Sequence, residues 1–566
     1  MSLRFRKAMG KALSLCSAVL LMLLAAGCAP GPREGSPGGH PVTENGITFS
    51  CDSGVYMQNR LAVTITAPEG CTIAYTTNGK TPTAADDTGR TEVRVVLSKG
   101  GDGYLIQHRD LLMIPELPAR MVLADPSLPS GKVLRAAAVS QTGEAGEAVT
   151  KVYFLQTDFE KRFPGCLVVS IVADPADLLD YETGILTPGA IFDAWKRKTG
   201  NPEEYFNDKY WLIESNFTQR GKAWERACIV QIYDGDGIPA AEAPAGIRVT
   251  GNASRFEGQK SLNVYFREEY GQKYLDYELF DGIGRYRSFR LRSGGNNANW
   301  LKFKDAYLQE LVDGQNYLSA GTRPAVLFLN GEYWGPYLLT EKLTDQMISD
   351  HYGVDKDQVV LFKEGVLEEG KDRDVLLYEA LMAYAERDLT DPDVWQEFCT
   401  VMDVRSMAEY CAAEIYLGNA DWKPDKNDVL WRTRDGSWNE GRWQYILYDV
   451  EFSSGMYGFE DGRAAPARDH FRLALEQYPL FAAAIRNPEF YDLFLDALRE
   501  IGGVRCAPER AEKLLSEYIA AWAPLMPDFY RRFGDWRHLW DRSVSDTTLF
   551  FRERYDCLMP LVESYE

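Results

Sequence analysis

Gly418-Asn419-Ala420-Asp421-Trp422-Lys423-Pro424-Asp425-Lys426-Asn427, followed downstream by Tyr448-Asp449-Val450-Glu451-Phe452, is the stretch that decides how the chain is read. It offers an Asp, an Asn six positions later, and a second Asp bracketed by apolar, strand-like residues. Carboxylate and carboxamide oxygens are hard ligands, the kind that hold magnesium. A further carboxylate can orient or deprotonate a hydroxyl. The rival reading is an acidic surface loop without a ligand.

Working outward, Met407, Cys411 and Ile415 mark one apolar helix face, and Leu377, Leu381 and Tyr384 another. Gly418 stands where a C-cap glycine ends a helix, directly before the acidic loop. Upstream, strand-like runs cover 166–172, 228–233, 246–250, 261–266, 288–291 and 325–329. Asn330-Gly331 then predicts a hairpin into 337–340, and 302–311 reads as a short helix between strands. Helices are expected to dominate after residue 345. A β-rich lobe over 160–345 and a helical lobe and tail over 346–566 follow from this texture.

A chain of 566 residues exceeds one hydrophobic core, so several domains are expected. The formal charge of −21 leaves no basic stripe for phosphate backbones, which argues against nucleic acid as partner. It equally disfavours adhesion to an anionic membrane surface.

Arg4, Arg6, Lys7 and Lys11 precede an apolar run over 12–26 that ends Leu24-Ala25-Ala26-Gly27-Cys28. About fifteen apolar residues are too few to span a bilayer, so the segment reads as an export signal. Small residues before Cys28 resemble a bacterial lipoprotein processing site, with 1–28 as signal peptide and a lipid on Cys28. The alternative is plain secretion. Residues 29–45, rich in Pro and Gly, are read as a tether. The expected location is exported and lipid-anchored at the bacterial membrane or cell surface.

The other cysteines lack CxxC spacing, and the five histidines lack HExxH spacing, so neither a structural nor a catalytic zinc centre is expected. Cys51 and Cys71 lie in one small β-rich segment and could pair.

That segment, 46–156, alternates as strands over 61–67, 133–139 and 151–155, with Asn78-Gly79 read as a hairpin turn after 73–77. Tyr75-Thr-Thr-Asn-Gly-Lys-Thr-Pro-Thr83 resembles the signature of the chitobiase/β-hexosaminidase C-terminal-type domain, an immunoglobulin-like β-sandwich appended to exported bacterial proteins. The resemblance implies an accessory module, with cell-wall glycan as a conceivable ligand, and not a hydrolase.

Protein kinases combine one catalytic Asp, an Asn and a later Asp on magnesium in the same order, with four residues between the first pair. This chain has five there, and no Asp-Phe-Gly. The motifs that narrow the likeness run through the chain in order. They are 164–171, Asp174-Pro175, Tyr181 to Ile185, Trp224-Glu225-Arg226, Gly246 to Arg255, Gln259-Lys260-Ser261 and Phe289 to Arg292. Leu329 to Tyr333, Glu341, Gly418 to Trp422, Asn427 and Tyr448 to Glu451 follow. With these the chain resembles the spore coat protein CotH kinase family over most of 160–566. The resemblance implies an α+β fold: a two-lobed, atypical protein-kinase-like domain behind the immunoglobulin-like module. It also implies ATP with Mg2+ or Mn2+, and phosphorylation of Ser or Thr in an exported or cell-surface protein.

Carried over residue by residue, Asp421 is the expected catalytic carboxylate, with Asp425 its competitor inside Lys423-Pro-Asp-Lys-Asn427. Asn427 and Asp449 are the expected metal ligands, with Glu451 as a further one or a strand-end charge. Lys260 is expected on ATP phosphates. Arg292 reads as a second phosphate clamp or a structural ion pair. Glu341 is expected to hold Lys260 or the nucleotide, or to be a buried structural carboxylate. The loop Gly251-Asn-Ala-Ser-Arg255 is neither of the usual glycine-rich phosphate motifs. Two other functions remain open: a kinase-like surface protein without turnover that binds glycan or protein, and a glycoside hydrolase with paired carboxylates.

Overall fold

The computed structural model describes residues 39–117, 121–155, 158–280, 282–455 and 465–565. The signal expected over 1–28, with Cys28, and most of the tether expected over 29–45 lie outside the described residues. Among the described residues no helix is long and apolar enough to cross a membrane. The architecture is mixed α+β.

The first unit carries eight strands: β1 (Val42–Glu44), β2 (Ile47–Phe49), β3 (Gly54–Tyr56), β4 (Arg60–Thr66), β5 (Thr72–Thr76), β6 (Glu92–Ser98), β7 (Gly131–Val139) and β8 (Val149–Leu155). They form two sheets, β1-β2-β4-β6 and β3-β8-β7-β5. Val63, Ile65, Val93 and Val95 of one sheet share a core with Ile73, Leu134, Val149 and Tyr153 of the other. Two expectations change here. The tether gives way to β1, because Asn45 and Gly46 take the positive φ of a tight turn and let Glu44 pair with Ile47. Asn78-Gly79 makes no hairpin, since β5 pairs with β7. The turn instead abuts Asn330, whose Nδ2 would lie 2.7 Å from a Cβ on Gly79. Cys51 and Cys71 are free thiols, so the pairing left open above is absent.

The second unit is a closed barrel, β10-β11-β12-β15-β18-β17-β9. It is built from β9 (Leu167–Ala173), β10 (Arg226–Tyr233), β11 (Pro239–Thr250), β12 (Ser261–Tyr265), β15 (Ser288–Arg292), β17 (Thr322–Leu329) and β18 (Glu332–Glu341). A separate ribbon, β13 (Leu275–Phe280) with β14 (Ile283–Tyr286), sits between β12 and β15 in sequence. Strand β9 is apolar on both faces for a reason. Val169 and Ile171 join the large core, while Val168 and Val172 meet Val55, Val152 and Phe154 of the first unit. Strands β11, β12 and β15 are apolar on one face only: Ile247, Val249, Leu262, Val264, Phe289 and Leu291 are buried. Their other face carries Arg248, Asn263, Arg290 and Arg292, and it is this polar face that matters below. The expected Asn330-Gly331 hairpin joins β17 to β18. Helix α1 (Lys304–Leu311) follows β15 as expected.

The helical half also contains a sheet that sequence reading did not anticipate. Strands β19 (Val359–Lys363), β20 (Val366–Glu369), β21 (Val429–Thr433) and β22 (Gln444–Leu447) pair with β16 (Leu318–Ser319) in the order β16-β22-β21-β19-β20. Because β16 runs beside β22, the boundary expected at 345/346 is crossed by backbone pairing. Tyr448 to Phe452 is not a strand: β22 stops at Leu447, and Asp449 takes a left-handed φ of 57° before a short 3-10 turn. Helix α2 (Val404–Leu417) is capped by Asp403, which accepts from the Ser406 N–H, and ends at Gly418 with φ 68°. Its side chains from Ser406 to Leu417 are buried all round, which suits a helix running through a core rather than along a surface. Helix α3 (Pro488–Glu500) packs against it, with Asn487 as N-cap. The tail then returns to the barrel, where Phe533 meets Trp334.

Candidate active site

The polar face of β11, β12 and β15 forms one wall of a cleft. The opposite wall comes from the segments after α2 and after β22. These two segments are zipped together by backbone hydrogen bonds from Ala420 N–H to Phe452 O and from Ser454 N–H to Leu417 O. Between the walls lies a cavity of about 130 Å³ whose lining includes Gly251, Arg292, Asn296, Asp421, Asn427 and Asp449. That is smaller than the about 300–1,000 Å³ of sites that enclose a whole small molecule. It suits the charged end of a ligand.

Asp421, Asn427 and Asp449, named from sequence, meet here. Asn427 Nδ2 lies 3.3 Å from Asp421 O, 3.5 Å from Asp421 Oδ2 and 3.5 Å from Asp449 O. Asn427 and Asp449 both hold left-handed backbone, at φ 56° and 57°. Non-glycine residues rarely do so, and such strain gathers at functional sites. Asp421 follows the C-cap turn, where Asn419 Oδ1 accepts its N–H at 3.1 Å and Asn419 Nδ2 donates to Glu414 Oε2 at 2.9 Å. Asp425 does not reach the cavity. Its side chain is 77% exposed at the tip of the Lys423–Lys426 turn, beside the Lys423 ammonium at 3.5 Å.

Arg292 is the hub. Its guanidinium donates to Asp305 Oδ2 at 2.6 Å, Asp449 Oδ1 at 2.5 Å and Glu451 Oε2 at 2.7 Å. Asp305, on α1, also accepts from the Val450 N–H at 2.8 Å, so it fixes both the cation and the backbone beside Asp449. Of the two readings given for Arg292, the ion pair is what the contacts display. Burial pushes the Asp449 carboxyl up, but the Arg292 guanidinium, with Lys363 and Arg290 behind it, holds it below the usual carboxylate range. Glu451 faces inward with a side chain 6% exposed, accepting also from the Asn296 N–H at 2.7 Å. Burial pushes its carboxyl up to about 8, with Arg292 opposing and Asp449 and Asp305 adding to the rise. Glu451 lines the cavity, but its oxygens are engaged by protein donors, which makes it a brace rather than one of the first candidates for a metal. A Cβ on Gly295 would lie 2.3 Å from its carboxylate, so only glycine, also at φ 53°, fits there.

A raised carboxyl binds its proton more tightly in the folded chain than in the unfolded one, where about 4.3 is ordinary. The stability it supports is therefore full at low pH and lost as pH rises through about 8. The thermal midpoint is expected to fall between pH 5 and 8.5, and Glu451→Gln is expected to flatten that slope; equal slopes in the two proteins would refute the assignment.

Two expected nucleotide contacts lie elsewhere. Lys260 is buried and does not line the cavity; its ammonium donates to Arg255 O at 2.8 Å and Glu257 O at 3.1 Å, over the Phe217 ring at 4.1 Å. It caps the carbonyls of the turn at 253–256, a role set by the turn's geometry. Glu341 is the buried structural carboxylate: it accepts from the Gly321 N–H at 2.7 Å and pairs with His351 Nε2 at 2.9 Å. Sequence reading did not pick out Asp305, Asn419 or Lys426. Lys426, whose Nζ lies 3.6 Å from Asp421 Oδ2, sat inside the quoted motif and was legible as a charge at the cleft.

Among the described residues no group of three His, Cys, Asp or Glu side chains converges on a metal position. Asn427 and Asp449, with Asp421 beside them, nonetheless fit a hard cation of the magnesium type. That ion takes one or two carboxylates and fills its octahedron with water and substrate phosphates. The Asn427 amide would present its oxygen, a half-turn from the orientation described above.

The family model described as CotH kinase protein matches residues 247–558. The chain belongs to the CotH kinase family. It is thus a CotH-like kinase, a transferase by class, of a family that uses ATP and divalent metal in general. The match begins in β11 and ends in the last helix, so it contains the whole cleft of this CotH-family chain. No curated protein matches the chain.

Proposed function

We propose that this CotH-family chain transfers the γ-phosphate of ATP to a Ser or Thr hydroxyl of an exported or cell-surface protein, with Asp421 as the carboxylate that receives the acceptor hydroxyl. The observation that carries the reading is the meeting of Asp421, Asn427 and Asp449 in one cavity, two of them in left-handed backbone. In protein kinases a cation on the third strand pairs with an acid on the next helix, and an Asn and an Asp hold metal below them. Here β11, β12 and β15 run in order, Arg292 ends the third, and Asp305 on α1 pairs with it. This supports the two-lobed, atypical kinase layout, with Arg292 and Asp305 in the roles first sought at Lys260 and Glu341.

Asp421 is partly exposed to the cleft. Burial raises its carboxyl, Lys426 opposes, and Asp449 adds to the rise, so it is a stronger proton acceptor than a free Asp. Lys426 stands beside it to neutralise phosphate oxygens, and Arg292 fixes the Asp449 carboxylate in its rotamer. Held by Asn427 and Asp449, Mg2+ or Mn2+ would neutralise the phosphate charge, leaving Asp421 free for the hydroxyl. The first unit, two packed sheets bearing Tyr75 to Thr83, is read as the chitobiase-type, immunoglobulin-like accessory module. Export with a lipid on Cys28 is proposed from the N-terminal sequence.

The deciding experiment is phosphate incorporation from labelled ATP with Mg2+ or Mn2+, by the chain itself or into a Ser/Thr-rich carrier. Asp421→Asn is expected to lower the rate about 10²–10⁴-fold, the weight of a general base. Asp425→Asn, at the exposed turn, is expected to change it less than about twofold. Equal losses would misassign the base. Incorporation that persists with chelator present would overturn the reading itself.

A further inference from the structure

From the cavity, whose lining already includes Arg290 and Tyr448, the same polar strand face continues as a row across four strands. Arg248 on β11 is in register with Asn263 on β12, Asn263 with Arg290 on β15, and Arg290 with Thr340 on β18. Lys342 lies just beyond the end of β18, and its ammonium stands 5.9 Å from the Tyr265 ring. From the opposite wall come Lys363, ending β19, and Tyr448, ending β22's exit, with the lysine 4.5 Å over the tyrosine ring. Four cations therefore surround two phenols, one strand step (about 7 Å) from Arg292 and the Asp449 centre; a fifth, Arg267, lies 4.8 Å over the Tyr265 ring but is paired with Glu225.

The partners of these cations are neutral. Arg248 Nη2 donates to Tyr265 OH at 2.7 Å, and Asn263 Nδ2 to the same oxygen at 3.0 Å. Arg290 donates to Asn263 Oδ1 at 3.0 Å and to Tyr448 OH at 3.1 Å, which also accepts from Lys363 Nζ at 3.3 Å. Among the described residues no ion pair involves Arg248, Arg290 or Lys342, and Lys363 has only Glu364 at 3.9 Å. Glu368 and Glu369 act on Lys342 at longer range. Tyr448 OH stands between Arg290 and Lys363, and the Asp449 carboxylate acts on both cations only at longer range.

Half-buried cations without close ion-pair partners are costly, and this chain of −21 has acids to spare. Both phenol oxygens already accept two hydrogen bonds, so each can meet a further group only as an O–H donor. Guanidinium, ammonium and phenol donors thus converge on a ligand that is all acceptor. We infer that the Arg248–Arg290–Lys342–Lys363 face is a phosphate subsite, separate from the metal-type centre at Asp449, that takes a phosphate group or chain without a metal. It deepens the phosphotransferase reading in naming a ligand class and rests on it only there. The phosphate belongs either to the donor's own chain or to an acceptor that is already phosphorylated.

The test uses the full chain, inorganic tripolyphosphate as probe, and chelator throughout, read by calorimetry. Binding is expected, with Kd rising about tenfold or more in Arg290→Gln/Lys363→Gln and severalfold in Tyr448→Phe, which keeps the ring and its packing. Asp449→Asn, which removes a negative charge next door, is expected to bind the probe as well as or better than the parent. That arm separates the two readings, because it can hold even if phosphate transfer is never detected. If ATP displaces the probe, the subsite belongs to the donor; if both bind together, it belongs to the acceptor. Absence of tripolyphosphate binding, or equal affinity in parent and both variants, overturns the inference.

Discussion

Asp449→Asn is expected to cut phosphate incorporation by about 10²–10³-fold, a loss of about 2.7–4 kcal/mol in the transition state, with the fold intact. The amide keeps the shape and one acceptor for Arg292 but removes the charge that both Arg292 and a divalent cation need. Stability should suffer little, because Arg292 is shared by three carboxyl groups, and Asp305 and Glu451 remain at 2.6 and 2.7 Å. The lost charge itself acts in the destabilising direction, because Arg292 holds the Asp449 carboxyl below its usual range. The measurement is paired: labelled-ATP incorporation and thermal midpoint on the same preparation. Unchanged incorporation with an unchanged midpoint would remove Asp449 from the chemistry. A midpoint that drops by many degrees would make it a structural residue first.

The opposite profile is expected for Arg292. Arg292→Ala strips Asp305, Asp449 and Glu451 of their common cation and leaves three carboxyl groups crowded in a largely buried site. Breaking such a pair from one side costs about 3–5 kcal/mol. The sign with pH follows from the same contacts. Without the guanidinium the carboxyls rise, so stability is full at low pH and lost as pH rises. The variant is therefore expected to regain much of its midpoint between pH 8 and pH 5, more than the parent does. Arg292→Lys keeps a charge but offers no planar fork to three acids, so it should fold better than the alanine variant and still transfer phosphate poorly. An alanine variant as stable as the parent at pH 8 would refute the hub.

Local chemistry in the sequence was enough to name Asp421, Asn427 and Asp449, which the fold brings to one cavity. Gly418 was legible as a helix stop because a left-handed C-cap favours glycine, and Asn330-Gly331 as a hairpin because both residues tolerate positive φ. Alternation exposed most strands of the barrel. The spacing of Asp421, Asn427 and Asp449 pointed to hard-cation chemistry before any contact was known. The same reasoning failed where a residue type has two uses. Asn78-Gly79 has hairpin chemistry but serves as a turn against Asn330, since β5 finds its partner more than fifty residues on, in β7. Lys260 has the right charge but spends it on two carbonyls of its own turn.

What the amino-acid order determined by itself, then, was the set of oxygen donors, the caps and turns, and membership of a family; these depend on neighbours within a few residues. The tertiary structure alone decided which charges face one another. It closed β9 against both β10 and β17, and it set β16 beside β22. It also pressed Asp305 of α1 between Arg292 and the Val450 amide. Such choices turn on desolvation and on partners 13 to 157 positions away, and no local pattern encodes a distance of that kind.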